Sequence, residues 1–418
     1  MKSLKFIHCA DLHIDSPFKG VGNVNPELQS ILCNSTFEAF NRIITIAIEN
    51  KVDFVLIAGD IYECENKSLR AQFKFREGLL RLLESGIQSY IVYGNHDPLN
   101  SWSATLKDVD GIHIFGDELK CEIFKKNETA LAKIYGVSFG RADTIDNLAL
   151  RFPEADGDVP CIGLLHANVG GRLDDPYSPC TVEDLSSKKM DYWALGHVHT
   201  FEIIKKANPA IVYPGCSQSR NATETGGKGC CLVTLKAGQD PNIQFISTDF
   251  VRYAQSDVDI SDCSSIDETV DSILARCHDV SAGFNGCHAI IRLSLKGRTS
   301  LHNELKKDGV IQDITDRIRK IMERIKPIIW LEKLSLNTAK PYEVDVLRQG
   351  KDFNADIISI CDELITEKPL QKELTDRLNV LFTHKQIGHY LEKMSPEEVD
   401  GLIAEARDQI LDELMETD

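Results

Sequence analysis

Five apolar runs in this chain end on the same few polar residue types, and that repetition limits the fold more than any other feature. Phe6-Ile-His-Cys-Ala10 runs into Asp11-Leu-His13, Phe54-Val-Leu-Ile-Ala-Gly59 into Asp60, and Ile91-Val-Tyr-Gly94 into Asn95-His96-Asp97. Cys161-Ile-Gly-Leu-Leu165 ends at His166, and Tyr192-Trp-Ala-Leu-Gly196 at His197-Val-His199. Amides, imidazoles and carboxylates are costly to bury without partners. In an α/β sheet such groups collect on the rim beyond the carboxyl ends of the strands, where binding sites are built.

The chain around these runs reads as α/β. Helix-like stretches, one reaching Asn50 and one from about Leu69 to Glu84, separate the first three strands. Later strands (Lys133 to Phe139, Cys161 to His166, Tyr192 to Leu195, Ala210 to Tyr213, Cys230 to Leu235, Ile243 to Ser247) follow with little helix between most of them. A layered sheet sandwich flanked by helices accommodates both halves.

From about Asp249 the pattern changes to a small α/β unit. Val270, Ile273, Leu274 and Cys277 have helical spacing, Ala289 to Leu295 is a strand, Ile311, Ile314, Ile318, Ile321 and Ile325 form a second helical stripe, and Ile328 to Leu331 is a second strand. After Pro341 the strands stop. Ser395-Pro-Glu-Glu398 has the form of a capping box with proline at the first helical position. Val399, Leu402, Ile403, Ala406, Ile410 and Leu414 then mark one face, which either packs on its own tail or docks a partner protein. A chain of 418 residues exceeds one compact core, and three segments are expected: 1–250, 251–340 and an acidic helical tail, 341–418.

The net charge of −17 argues against a general nucleic-acid coat. The imbalance is concentrated in the tail, where 17 acidic residues stand against six basic ones from Asp352 onward. Thirteen cysteines without a CxxC pair suggest neither a disulfide framework nor a zinc ribbon, so buried, reduced thiols are expected. A strand pattern starts at the N-terminus with no signal peptide before it, and no apolar run approaches ~18 residues. A soluble, cytoplasmic protein without membrane contact is the expectation.

Asp, Asn and His without cysteine suit a borderline-hard divalent ion such as Mn²⁺ or Fe²⁺, and also Zn²⁺. Gly59, Gly94 and Gly196 precede the polar groups, as where a chain turns sharply or passes close to a ligand. Asp11 and His13, like His197 and His199, stand two apart, so in an extended conformation each pair points one way.

In this order the motifs DxH, GD, GNHD, H and GHxH resemble those of the calcineurin-like metallophosphoesterase superfamily. More narrowly the chain resembles SbcD-type DNA repair nucleases of the YhaO-like bacterial branch. The likeness rests on Cys9-Ala-Asp-Leu-His-Ile-Asp-Ser-Pro-Phe18, Ala58-Gly-Asp-Ile-Tyr62, Tyr93-Gly-Asn-His-Asp97, Ala194-Leu-Gly-His-Val-His199 and Tyr213-Pro-Gly-Cys-Ser217. It implies a four-layer α-β-β-α sandwich, a capping domain, and two divalent ions, with Mn²⁺ first. It assigns one ion to Asp11, His13, Asp60 and His199, and the other to Asp60, Asn95, His166 and His197.

By the same resemblance His96 acts on the scissile phosphate and its leaving oxygen, with Asp97 orienting it. Arg220 and Asn168 are candidate substrate contacts. Two ions lower the pKa of a water between them and favour in-line attack on phosphorus. The implied activity is 3′ to 5′ exonuclease and single-strand endonuclease cleavage of DNA, by a homodimer partnered with an SbcC-type SMC-like ATPase. A small-nucleotide phosphodiesterase or phosphatase, or mainly a partner-dependent subunit, are the alternatives. Glu63 departs from the pattern: many relatives in the nuclease branch carry histidine three residues after the bridging aspartate. The protein-phosphatase signatures GDxxDRG and GNHE are absent, which disfavours a phosphoprotein substrate.

Overall fold

The structure is a computed structural model that describes residues 3–18, 24–63, 68–99, 109–170, 176–236, 239–382 and 394–416. The chain runs β1 (Leu4–Cys9), α1 (Pro26–Glu49), β2 (Phe54–Ala58), α2 (Leu69–Glu84), β3 (Gln88–Val92), β4 (Ile112–Ile114), β5 (Lys120–Lys126) and β6 (Thr129–Val137). It continues through β7 (Cys161–His166), β8 (Asn168–Val169), β9 (Pro179–Cys180), α3 (Val182–Ser187), β10 (Tyr192–Gly196), β11 (Glu202–Lys205), β12 (Ala210–Tyr213), β13 (Gly229–Leu235) and β14 (Asn242–Ser247).

Two six-stranded sheets result, in the orders β14-β13-β1-β2-β3-β4 and β11-β12-β10-β7-β6-β5. Alternation of side chains along each strand builds the layers. Phe6, Phe54, Leu56 and Tyr90 of the first sheet share one cluster with Ile162, Leu164, Tyr192, Ala194 and Val212 of the second. Their strand neighbours Ile7, Val55, Ile57 and Ile91 point the other way, onto Phe37, Phe40, Ile44, Phe75 and Leu79 of α1 and α2. On the far side Leu165, Trp193, Leu195 and Ile211 meet Leu185 of α3 and the turn at Leu148–Phe152. The order of layers is α-β-β-α, as expected for the first part of the chain.

Local chemistry sets the helix starts. Asn25 caps α1 by accepting from Leu28 N–H at 2.8 Å, with Pro26 at the first position, and Ser68 caps α2 by accepting from Ala71 N–H at 3.0 Å. Between the sheets a polar group interrupts the apolar layer: His8 Nδ1 lies 3.0 Å from the Tyr192 hydroxyl and Nε2 lies 3.1 Å from the Leu195 carbonyl oxygen.

Beyond β14 the chain forms β15 (Val251–Asp259), α4 (Ile266–Ala282), β16 (His288–Arg298), α5 (His302–Leu305), α6 (Val310–Met322) and β17 (Ile329–Ala339), with the sheet order β15-β16-β17. Four helices follow: α7 (Val344–Arg348), α8 (Phe353–Thr366), α9 (Lys368–Phe382) and α10 (Pro396–Glu416). Contacts divide the chain into two compact units, one of residues 1–256, 277–292 and 319–333, the other of 257–276, 293–318 and 334–418.

In the second unit the expected capping box is present. Ser395 Oγ accepts from Glu398 N–H at 3.2 Å, and Glu398 Oε2 accepts from Ser395 N–H at 2.6 Å. The α10 stripe is used within the chain: Val399 and Ile403 are buried in one cluster with Cys361, Ile357 and Leu364 of α8. Residues 383–393 of the tail lie outside the described residues. No helix among the described residues is long and apolar enough to cross a membrane.

Candidate metal centre

Parallel pairing brings the five polar ends to one rim. β1, β2 and β3 pair parallel, with Cys9 opposite Ile57 and Ala58 opposite Val92. β7 and β10 also pair parallel, with His166 opposite Gly196. The two rims meet at Ala58, whose carbonyl oxygen lies 2.9 Å from His166 Nδ1. A Cβ on Gly196 would stand 1.8 Å from that same oxygen, so only glycine allows this approach. A Cβ on Gly94 would lie 2.3 Å from Asp60 Oδ1, so close packing rather than a left-handed turn explains that glycine.

The paired side chains converge by a route other than the extended one expected. Asp11, His13, Asp60 and His197 have φ of 49°, 41°, 50° and 108°, a region that non-glycine residues enter at a cost of about 1–3 kcal/mol each. Backbone bonds hold the kinks: Asp11 N–H donates to Gly59 O and His13 N–H to Asp60 O, both at 3.0 Å. His197 N–H donates to the Asp11 carboxylate, 3.1 Å from each oxygen. Strain of this kind gathers where side chains are aimed at a task.

Asp60 stands in the middle. Its Oδ2 is 3.5 Å from His166 Nε2, 3.9 Å from His13 Nε2 and 4.0 Å from His96 Nε2. On one side His13 Nε2 lies 3.2 Å from His199 Nε2, and on the other His166 Nε2 lies 3.0 Å from Asn95 Oδ1. The His197 ring sits against that of His166, 5.2 Å between centroids. Ligand atoms of Asp11, His13 and His199 all fall within 4.8 Å of one another, as do those of Asp11, Asp60 and His166.

The electrostatics fit a divalent cation. Asp11, His13, Asp60 and His166 are buried. Burial, reinforced by the Asp60 charge, pushes the Asp11 carboxyl well above the usual range. Burial lowers His13 to about 3 and His166 to about 4, leaving neutral rings with lone pairs to offer. Two buried carboxylates, an amide oxygen and four imidazoles, with no thiolate, are a donor set for a hard or borderline ion. A third group, His199, Cys216 and Glu224, is equally compact, with burial pushing the Cys216 thiol up to about 12.

Two glutamates stand behind the imidazoles. Glu63 Oε1 lies 2.9 Å from His96 Nδ1, and Oε2 lies 3.1 Å from His13 Nδ1 and 2.7 Å from Arg220 Nη1. The His13 contact is short in distance yet off the N–H axis, so that buried nitrogen lacks an aligned hydrogen-bond partner. Glu224 Oε1 lies 2.9 Å from His199 Nδ1, and Oε2 accepts from Arg220 N–H at 2.7 Å. The His96 ring is partly exposed, more so than His13, His166 and His199, and the Glu63 carboxylate raises its pKa despite partial burial.

Asp97, the expected orienting group for His96, is held on backbone amides: Oδ1 accepts from Gly94 N–H at 2.9 Å, and Oδ2 from Ile61 N–H at 2.7 Å and Tyr62 N–H at 3.2 Å. The carboxylate at His96 Nδ1 belongs to Glu63. Arg220 is ion-paired within the site, whereas Asn168 is buried in the short β8 strand, its N–H 3.3 Å from the Tyr177 and Ser178 carbonyls. Sequence reasoning noticed Glu63 only as a missing histidine and overlooked Glu224. A carboxylate three residues past a bridging aspartate was the available signal for the first, and nothing in the local pattern marked the second.

The calcineurin-like phosphoesterase family matches residues 4–201, the stretch that holds every ligand candidate from Asp11 to His199. Residues 4–201 carry a calcineurin-like metallophosphoesterase domain. Residues 253–339 of this metallophosphoesterase match the middle domain of the metallophosphoesterase YhaO family. Over 97% of both chains it is 29% identical to metallophosphoesterase YhaO of Bacillus subtilis (strain 168). It is 25% identical to the DNA double-strand break repair protein Mre11 of Thermoplasma acidophilum, covering 69% of this chain and 77% of that one. Identity to the SbcD component of the SbcCD nuclease of Bacillus subtilis (strain 168) is also 25%, over 58% of this chain and 68% of that one. The metallophosphoesterase is thus a hydrolase related to the Mre11 and SbcD nucleases, with candidate residues for divalent ions.

Proposed function

We propose that this metallophosphoesterase is a DNA phosphodiesterase with 3′ to 5′ exonuclease and single-strand endonuclease activity in DNA repair. The observation that carries the reading is the placement of Asp60 between two donor groups. Asp11, His13 and His199 would hold one ion with it, and Asn95, His166 and His197 the other. Two divalent ions there, Mn²⁺ first and Fe²⁺ or Zn²⁺ next, would activate water and neutralise phosphate oxygens.

The chain's own groups supply the rest. His96 Nε2, directed toward Asp60 from the exposed side of the site, would donate to the leaving oxygen. Asp97 would keep the Gly94 turn and the Asp60 loop in register through its three backbone amides. Arg220 would present positive charge to the phosphate while held by Glu63. Similarity to Mre11 and to the SbcD component of SbcCD supports a DNA substrate over a small nucleotide.

The same likeness supports residues 1–250 as the nuclease domain, 251–340 as a capping domain on which DNA is read, and 341–418 as a tail for an SbcC-type ATPase, within a cytoplasmic homodimer. Since the α10 stripe already packs on α8, the partner would meet exposed apolar side chains such as Val380, Leu381 and Leu402. With Mn²⁺, purified chain should degrade labelled single- and double-stranded DNA. Turnover of bis-p-nitrophenyl phosphate or cyclic nucleotides with DNA left intact would replace this reading with that of a small-phosphoester hydrolase.

A further inference from the structure

Glu63 is reached by three side chains at once. Its two carboxylate oxygens lie 2.9 Å from His96 Nδ1 and 3.1 Å from His13 Nδ1, and Oε2 also lies 2.7 Å from Arg220 Nη1. The two rings stand 83° apart with centroids 5.2 Å from each other, yet both present Nε2 to the same atom, Asp60 Oδ2, at 4.0 and 3.9 Å. An imidazole whose Nδ1 faces a carboxylate is fixed in orientation and keeps Nε2 for its task. Here one carboxylate stands at the Nδ1 of two rings of different use, a ligand candidate that it touches out of line with the N–H axis and the ring proposed to meet the substrate.

Arg220 extends the arrangement. Its guanidinium takes the Glu63 carboxylate, and its backbone N–H donates to Glu224, whose other oxygen lies beside His199 Nδ1. Residues 220–224 therefore connect the brace on His13 and His96 with the brace on His199.

We propose that Glu63 is a positioning residue that sets His96 and His13 together, so that placing the substrate-facing ring and holding the ion beside His13 depend on one carboxylate. The proposal rests on the phosphodiesterase reading for the use of His96, but not for the use of His13.

The test uses the full chain with Mn²⁺ and bis-p-nitrophenyl phosphate or DNA, and compares wild type with Glu63→Gln, which keeps shape, and Glu63→Asp, which keeps charge and withdraws the carboxylate by one methylene. Both variants should lose about 10- to 100-fold in kcat, the usual effect of removing a carboxylate behind a working imidazole, with KM changed less than about threefold. Calorimetric Mn²⁺ affinity should fall about tenfold in each. In a His96→Ala background, Glu63→Gln should cost no further kcat while still weakening Mn²⁺ binding.

Equal kcat losses with and without His96 would overturn the role toward His96, and unchanged Mn²⁺ affinity would overturn the role toward His13. A circular-dichroism melt separates either result from unfolding, and Glu63→Asp decides the matter should Glu63→Gln not fold. Wild type inert on every phosphodiester would defeat the phosphodiesterase reading instead, and the Mn²⁺ affinities of the variants would still decide whether Glu63 sets His13.

Discussion

His166 Nδ1 lies 2.9 Å from the carbonyl oxygen of Ala58, which joins the end of β7 in one sheet to the end of β2 in the other. With its N–H directed at that oxygen the ring keeps Nε2 facing Asp60 and Asn95. The same carbonyl leaves no room for a Cβ at position 196. The site therefore depends on how closely the two sheets approach at one peptide, besides the side chains that line it.

Glycine substitutions test that closeness. Gly196→Ala meets a backbone oxygen at 1.8 Å and cannot be absorbed by a rotamer change, so unfolding free energy should fall by about 2–4 kcal/mol. Gly94→Ala meets the Asp60 carboxylate and the His166 ring, so metal affinity should fall by at least tenfold with a smaller loss of stability. Urea titration and calorimetry of Mn²⁺ binding read the two effects, and equal behaviour of both variants would contradict the geometry.

His96→Ala should reduce kcat on phosphodiesters by about 10²- to 10⁴-fold, the range for loss of a proton-transfer group, while leaving Mn²⁺ stoichiometry unchanged. Loss of metal together with activity would show that the ring holds an ion. Steady-state kinetics beside elemental analysis of the purified variant decides between them.

Buried neutral histidine makes stability fall with acid. Burial lowers His8 to about 3, against an unfolded value of about 6.5. The unfolded chain therefore takes up the proton first as pH drops. The stability contribution is complete above about 6.5 and is lost progressively toward about 3, at up to about 1.4 kcal/mol per pH unit. His13 and His166 act in the same direction when no metal is bound. Urea midpoints of the chelated protein at pH 7 and pH 5 should differ more for wild type than for His8→Gln. Equal differences would show that His8 is protonated in the folded chain.

The α10 stripe belongs to the tail's own core, so Ile403→Ala should destabilise that helical segment by about 2–4 kcal/mol. Hydrolysis, carried by residues of the other unit, should be unaffected. Hydrogen exchange along α8 and α10 with a parallel activity assay reads both, and slowed hydrolysis would show that the tail contributes to catalysis.

Much of this was legible in the sequence, because strand ends that carry Asp, Asn and His leave a local mark and parallel pairing aligns them. A layered sheet sandwich flanked by helices followed from the order of apolar strands and helix-like stretches, and the four-layer α-β-β-α arrangement from the family resemblance. The conformation of Asp11, His13 and His197 was not legible, since their left-handed backbone is imposed by hydrogen bonds to residues far along the chain, such as Asp60 and Asp11. Nor was the carboxylate beside His96. The resemblance put Asp97 there, but the turn directs that side chain to the amides of Gly94, Ile61 and Tyr62, and Glu63 approaches from the neighbouring strand end. The α10 face could not be assigned from periodicity, which marks an apolar stripe without saying what covers it.

The central claim is that Asp60 joins two metal sites, and counting bound ions tests it most directly. Wild-type chain loaded with Mn²⁺ and freed of excess should carry two ions per chain by elemental analysis, and Asp60→Asn at most one with weakened affinity. Wild type holding no ion, or Asp60→Asn still holding two with unchanged affinity, would contradict the account.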